Sequence, residues 1–296
     1  MTKKKHLGTK AQIGAEKERE RRIATAIFLA IILLAAAFSG YFGYTILNSS
    51  PSISFAGPTS QFKPENATPD LKAAIVDQLT LEFPNKTFTE EATNILEQGG
   101  YTVDYYPAEM VTVDFFSSLP SCGYKIILLR VHCGHNPEAQ NLGFFTSEVY
   151  SSSKYVYEQL ADLLERVAFN NPPAEGEPTY FAINSLFVER SMKGRFNGTT
   201  IIMMGCYGLE FPCMAAAFVD KGAEVYIGWS GLVSASHTDQ ATISLIKHLI
   251  LENQTVRQAG ENTMNEVGPD PSSKSILGYY PDKAGEQTIE DFNGKN

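Results

Sequence analysis

Several signals are missing from this chain, and each absence closes a class of function. It has no phosphate-binding glycine-rich loop, no acidic calcium loop, no coiled-coil heptad and no helical His-Glu-x-x-His. Nothing in its motifs therefore asks for a nucleotide, a metal or any other cofactor. Positive charge is scarce beyond the start. Residues 1–22 hold eight Lys/Arg against three Glu, net +5, so the overall −9 leaves −14 for the rest of the chain. An acidic body of that kind is a poor partner for nucleic acid.

Charge is wholly absent from Ile23 to Leu47, a run of 25 residues. That is long enough to cross about 30 Å of hydrocarbon as one helix. Tyr41 and Tyr44 fall where an interfacial aromatic belt would sit, and Arg19, Arg21 and Arg22 before the run keep the N-terminus cytoplasmic. The alternative, a cleaved signal peptide, fits less well: its apolar core spans about 7–15 residues, shorter than this run, and no clean small-x-small site stands at the end of the run. The expected layout is a basic tail over 1–22, a single membrane span over 23–47, a Ser/Pro/Asn-rich stalk over 48–70 and an extracytoplasmic domain over 71–296. Asn-x-Ser/Thr triplets occur only after the span, at Asn48, Asn66, Asn85, Asn197 and Asn253, in keeping with an outward-facing glycoprotein.

With 296 residues, 43% hydrophobic and 19% charged, the chain has enough material for one large core. From Leu71 onward strand and helix patterns alternate. Strands are expected at Ala73–Leu81, Tyr101–Tyr106, Lys125–Val131, Phe144–Val149, the start of Thr179–Met192, Ile201–Met204 and Ala223–Trp229. Helices are expected at Thr89–Gln98, Ser152–Ala168, Pro212–Lys221, Asp239–Glu252 and Thr255–Val267, with an ambiguous amphipathic element at Val111–Leu119. The tail from Gly268 reads as a polar loop apart from Ile276–Tyr280. This alternation predicts an α/β fold, a three-layer α/β/α sandwich around a mostly parallel sheet.

Two of the apolar strands end in reactive residues. Ile201–Met204 runs into Gly205-Cys206-Tyr207-Gly208, and Lys125–Val131 runs into His132-Cys133-Gly134-His135-Asn136. If the two strands are neighbours, a thiol and an imidazole leave the same sheet edge, where open α/β sheets place ligands. A Cys–His dyad needs that arrangement: the imidazole takes the thiol proton, sulfur attacks an acyl carbon and backbone amides near Gly205 and Gly134 receive the oxyanion. The plainer alternative is that Cys206 is a small buried hydrophobe. Other pairings stay open. Cys206 with Cys213, or Cys122 with Cys133, could form disulfides outside the membrane, and His132, Cys133, His135 and Cys206 could gather around zinc.

The same stretches resemble the caspase-like cysteine peptidase superfamily, which includes caspases, gingipains, separases and CHAT domains. The nearer resemblance is to CHAT and gingipain-type members. It lies in an apolar strand ending in His and Gly, and in a later apolar strand ending in a small residue, Cys206 and Gly208. Ala216, Gly222, Ala223, Trp229, Asp239, Ala241 and Thr242 then follow the family's helix, Gly-Ala, apolar strand, Trp and Asp-x-Ala-Thr pattern. The family shows His directly before Gly, whereas here Cys133 intervenes, so His132 or His135 fills the role, with His132 favoured because it follows its strand as closely as Cys206 does. The resemblance implies a membrane-anchored, outward-facing thiol protease with Cys206 as nucleophile, acting on a peptide or protein. Tyr207, Trp229 and Asp239 are expected near the substrate pocket, although Trp229 also suits the core and Asp239 a helix N-cap. The competing expectation is an inactive relative serving as a surface binding module.

Overall fold

The computed structural model describes residues 71–136, 138, 140–170 and 173–294. The expected basic tail, membrane span and stalk lie outside these residues. Among those described, no helix is long and apolar enough to cross a membrane.

The chain enters through β1 (Lys72–Asp77), a 3-10 turn at Gln78–Leu81, α1 (Lys86–Gln98) and β2 (Thr102–Pro107). Next come α2 (Val113–Ser118), β3 (Ile126–Arg130), β4 (Cys133–Asn136), β5 (Asn141–Val149), α3 (Val156–Leu160), β6 (Leu164–Val167) and β7 (Tyr180–Ile183). The last part comprises α4 (Ser185–Arg190), β8 (Thr199–Met203), α5 (Pro212–Asp220), β9 (Ala223–Trp229), α6 (Ala235–Ile246), α7 (Val256–Glu266), β10 (Leu277–Tyr280) and α8 (Ile289–Asn293). A π-helical turn over Lys247–Leu251 prolongs α6.

Six strands form one mixed α/β sheet in the order β2-β1-β3-β8-β9-β10, all parallel except the edge strand β10. The inner strands β1, β3 and β8 are buried almost throughout and read as largely apolar runs because both faces are covered, whereas the edge strand β2 is only half-buried. On β3, Ile127 and Leu129 join Phe116, Phe187 and Phe218 of α2, α4 and α5 in one cluster. Ile126 and Leu128 face the other way and join Ile95, Leu245 and Ala259 of α1, α6 and α7. Local punctuation agrees with the chemistry of each end. Asn85 caps α1 by accepting from the Phe88 amide, Pro212 opens α5, and Thr255 closes a capping box with Gln258 at α7. Gly222, at φ +109°, makes the turn from α5 into β9, where a Cβ would strike the Phe196 backbone.

Other expectations need correction. Residues 152–168 do not form a long helix. Only α3 is helical, the backbone reverses through left-handed residues at Tyr155 and Asp162, and Leu164–Val167 pairs with β7 as β6. Leu160 is 83% exposed whereas Leu163 is fully buried, so the apolar residues that imitated a helical stripe serve separate surfaces. The strand of Thr179–Met192 belongs to a second, antiparallel sheet, β4-β5-β7-β6, rather than to the parallel one. β1 ends at Asp77 and continues as the 3-10 turn, α6 begins at Ala235 rather than Asp239, and the tail contains α8 as well as the expected strand. Leu160→Ser should change stability by no more than about 0.5 kcal/mol, while Leu163→Ala should cost about 2–5 kcal/mol. Urea unfolding of both variants tests this, and equal losses would restore the long helix.

Candidate functional site

Parallel pairing of β3 with β8 sets Leu129 opposite Met203. His132 and Cys206 each lie three residues beyond that pair, so neighbouring strand ends carry the imidazole and the thiol to one sheet edge. They share a cavity of about 270 Å³ at the carboxyl ends of the strands. Leu79 and Phe83 enter from the segment after β1, Val131 and His132 from just past β3, Met204 and Gly205 from just past β8, Val233 and Ser234 from the β9–α6 turn, and Ala235 and Thr238 from the first turn of α6. The strand order reverses between β1 and β3, and a cleft at that switch point is where open α/β sheets bind ligands.

Each reactive group is held by specific neighbours. The His132 amide donates to Gln78 Oε1 at 2.9 Å, and its Nε2 meets Glu82 Oε2 at 2.8 Å. The ring packs against Phe83, Phe145 and Phe169, with centroids 6.0, 5.8 and 5.0 Å away. A carboxylate at Nε2 selects the tautomer with hydrogen there, leaving Nδ1 as the acceptor. The Cys206 thiol donates to the Val233 carbonyl at 3.4 Å. Burial pushes its pKa above the ordinary thiol value, against the opposing effect of that hydrogen bond, so the resting group is the thiol. Gly205 admits no side chain: a Cβ would collide with the Val131 carbonyl and the Met203 methyl. Tyr207, in the left-handed region at φ +59°, then turns the chain back and donates its amide to Gly231.

Beneath the cavity lies the Arg130 guanidinium, 1% exposed. It donates to Asp77 Oδ1 through Nη1 at 2.7 Å and to both Asp239 oxygens through Nε and Nη2 at 2.8 and 3.0 Å; Nη2 also reaches the Phe83 carbonyl at 2.8 Å. Asp239 is therefore neither a helix N-cap nor a residue of the cavity lining; it is the buried counter-ion of Arg130. Trp229 is fully buried behind the wall, its indole N–H donating to Thr238 Oγ1 at 2.9 Å. The β9–α6 turn is pinned by Asp270. Burial would raise its pKa, but the Ser234, Ser273 and Ser272 amides outweigh this and hold the carboxyl well below its usual range.

His135 goes elsewhere. It lies on β4, its Nε2 3.2 Å from Glu210 Oε2 and its ring stacked on Tyr207 at 4.1 Å, and neither ring is part of the cavity lining. Gly134 is tied into the second sheet opposite Gly143. All four cysteines are free thiols, so neither of the two pairings left open by the sequence, Cys206 with Cys213 or Cys122 with Cys133, is present. Among the described residues no cluster of His, Cys, Asp or Glu is arranged to hold a metal ion. No family model matches the chain, and no curated protein matches it.

Glu82, Gln78, Val233 and Asp270 escaped sequence reasoning. Each is an ordinary polar or apolar residue far along the chain from the group it holds.

Arg130→Met leaves two buried carboxylates without their cation and should cost about 3–5 kcal/mol in chemical unfolding; a loss below about 1 kcal/mol would show the cluster to be incidental. Asp270 titrates lower in the folded than in the unfolded chain. Its stabilisation is complete above the ordinary aspartate value of about 4 and is lost as pH falls toward the depressed value. Asp270→Asn should therefore lower Tm at pH 6–7, and the gap from the native chain should close as pH drops below about 4. A gap independent of pH would refute the assignment.

Proposed function

We propose that the chain is a membrane-anchored, outward-facing cysteine peptidase with a three-layer caspase-like fold, in which Cys206 is the nucleophile and His132 the general base. The observation that carries this is the pairing of Cys206 and His132 around one cavity at adjacent ends of a parallel sheet. The fold, the glycine before the thiol and the orienting carboxylate of Glu82 support it. The substrate is a peptide or protein; the acidic body disfavours nucleic acid.

In this reading the reaction starts from the neutral thiol. As Cys206 sulfur attacks the scissile carbonyl carbon, its proton passes to Nδ1 of His132 while Glu82 steadies the imidazolium through Nε2. The Gly205 amide at the cavity wall is the donor toward the developing oxyanion. Collapse of the tetrahedral intermediate breaks the C–N bond, and the imidazolium protonates the departing amine. Water, deprotonated by His132, then hydrolyses the thioester and restores the thiol.

One observation favours the alternative, a non-catalytic surface binding module on the same fold: the Cys206 thiol rests against the Val233 carbonyl with its pKa raised. Labelling of the full-length chain in detergent by a peptidyl acyloxymethyl ketone separates the two. Cys206→Ala should abolish labelling, His132→Ala should slow it by about 100-fold or more, and Glu82→Gln by about tenfold, whereas His135→Ala should leave it within a factor of about three. Cys206 labelling that is indifferent to His132→Ala rules out the dyad.

A further inference from the structure

The walls of the cavity beside Cys206 are apolar on nearly every side: Leu79, Phe83, Val131, Met204, Val233 and Ala235. The charged and polar groups nearby already have partners. Arg130 is bound by Asp77, Asp239 and the Phe83 carbonyl, Glu82 lies against His132, and Asp270 is held by the serine amides of its own turn and of the β9–α6 turn. Thr238 Oγ1 accepts from Trp229, and Ser234 Oγ donates to Asp270.

An Asp or Lys side chain entering this space would surrender its hydration, and no Asp, Glu, Lys or Arg is among the residues that line it. An apolar one would gain by burial. Room is sufficient, since an apolar cavity of about 150 Å³ accepts benzene and this one is about 270 Å³. The surroundings continue the same character. Leu81, Leu232 and Phe169 are exposed on segments that adjoin the cavity-lining residues, and the Phe169 ring packs against His132.

We infer that this cavity selects peptides by a large uncharged apolar side chain, leucine, methionine or phenylalanine, at the residue preceding the scissile bond. The inference rests on the peptidase reading above for its place beside the scissile bond, while the preference itself follows from the cavity walls. Acidic and basic side chains at that position are excluded by the same walls.

Binding to the full-length Cys206→Ala chain in detergent tests the preference without chemistry, using fluorescent peptides identical except for Leu, Phe, Asp or Lys at that position. Leu and Phe peptides should bind at least about tenfold more tightly than Asp or Lys peptides. Val233→Phe in the same background fills the cavity and should weaken the Leu and Phe peptides by about fivefold or more, which non-specific adsorption would not do. Equal binding of all four, tighter binding of a charged peptide, no measurable binding, or indifference to Val233→Phe each overturns the inference. Discrimination retained in a chain whose Cys206 the ketone never labels supports the apolar preference and removes the peptidase reading. Efficient labelling that favours Asp or Lys does the reverse.

Discussion

A buried cation, Arg130, holds together the end of the parallel sheet that carries the cavity. Arg130 ends β3 in register with Asp77 of β1, and its planar fork grips Asp239 of α6 by two hydrogen bonds. Two carboxylates around one guanidinium leave a surplus of negative charge, which is spread over further donors: Asn85 Nδ2 to Asp239 at 2.8 Å and the Tyr105 hydroxyl to Asp77 at 3.2 Å. The Phe88 ring packs 5.7 Å from the guanidinium carbon. Such clusters add little net stability over a well-packed apolar core, because desolvation nearly cancels the Coulomb attraction. Their effect is on arrangement, since any misplacement leaves a naked charge in the interior.

That arrangement reaches the cavity in two directions. Through the Phe83 carbonyl, Arg130 fixes the segment that carries Glu82 to His132 and Phe83 to the cavity wall. Through Asp239 it anchors α6, whose first turn supplies Ala235 and Thr238 to the opposite wall, while Asp270 holds the Ser234 backbone just ahead of it. The thiol and the imidazole are therefore borne by stiff strand ends, and their surroundings by segments clamped to the same buried ion. Gly205 completes the geometry, because only its hydrogen fits between β8 and the Val131 carbonyl.

The environment of the thiol also shapes its chemistry. With no cation against it and burial raising its pKa, Cys206 is stored as a thiol rather than as half of a preformed ion pair. Under the proposed peptidase chemistry, proton transfer would belong to the attack itself. Cys133 illustrates the other extreme: burial drives its pKa well above the ordinary value and the Glu165 carboxylate adds to the effect, so a thiol near Cys206 in space is kept unreactive.

The primary structure alone determined the parallel sheet and the positions of its reactive ends. Strands buried on both faces are written as apolar runs, and Cys206 and His132 follow two of them directly. It also marked α5 and α7 through Pro212 and Thr255, and the end of α1 through Gly99-Gly100, while the Asn85 cap that starts α1 at Lys86 emerged only from the structure. Tertiary structure decided what depends on distant partners: that residues 164–167 leave a helix-like pattern to pair with β7, that Asp239 serves Arg130 and not the cavity, that Glu82 rather than a neighbour in sequence orients His132, and that His135 turns away to Tyr207. Periodicity records only which side chains are buried, whereas a hydrogen bond or ion pair between residues 50 or 109 positions apart exists only once folding has brought them together.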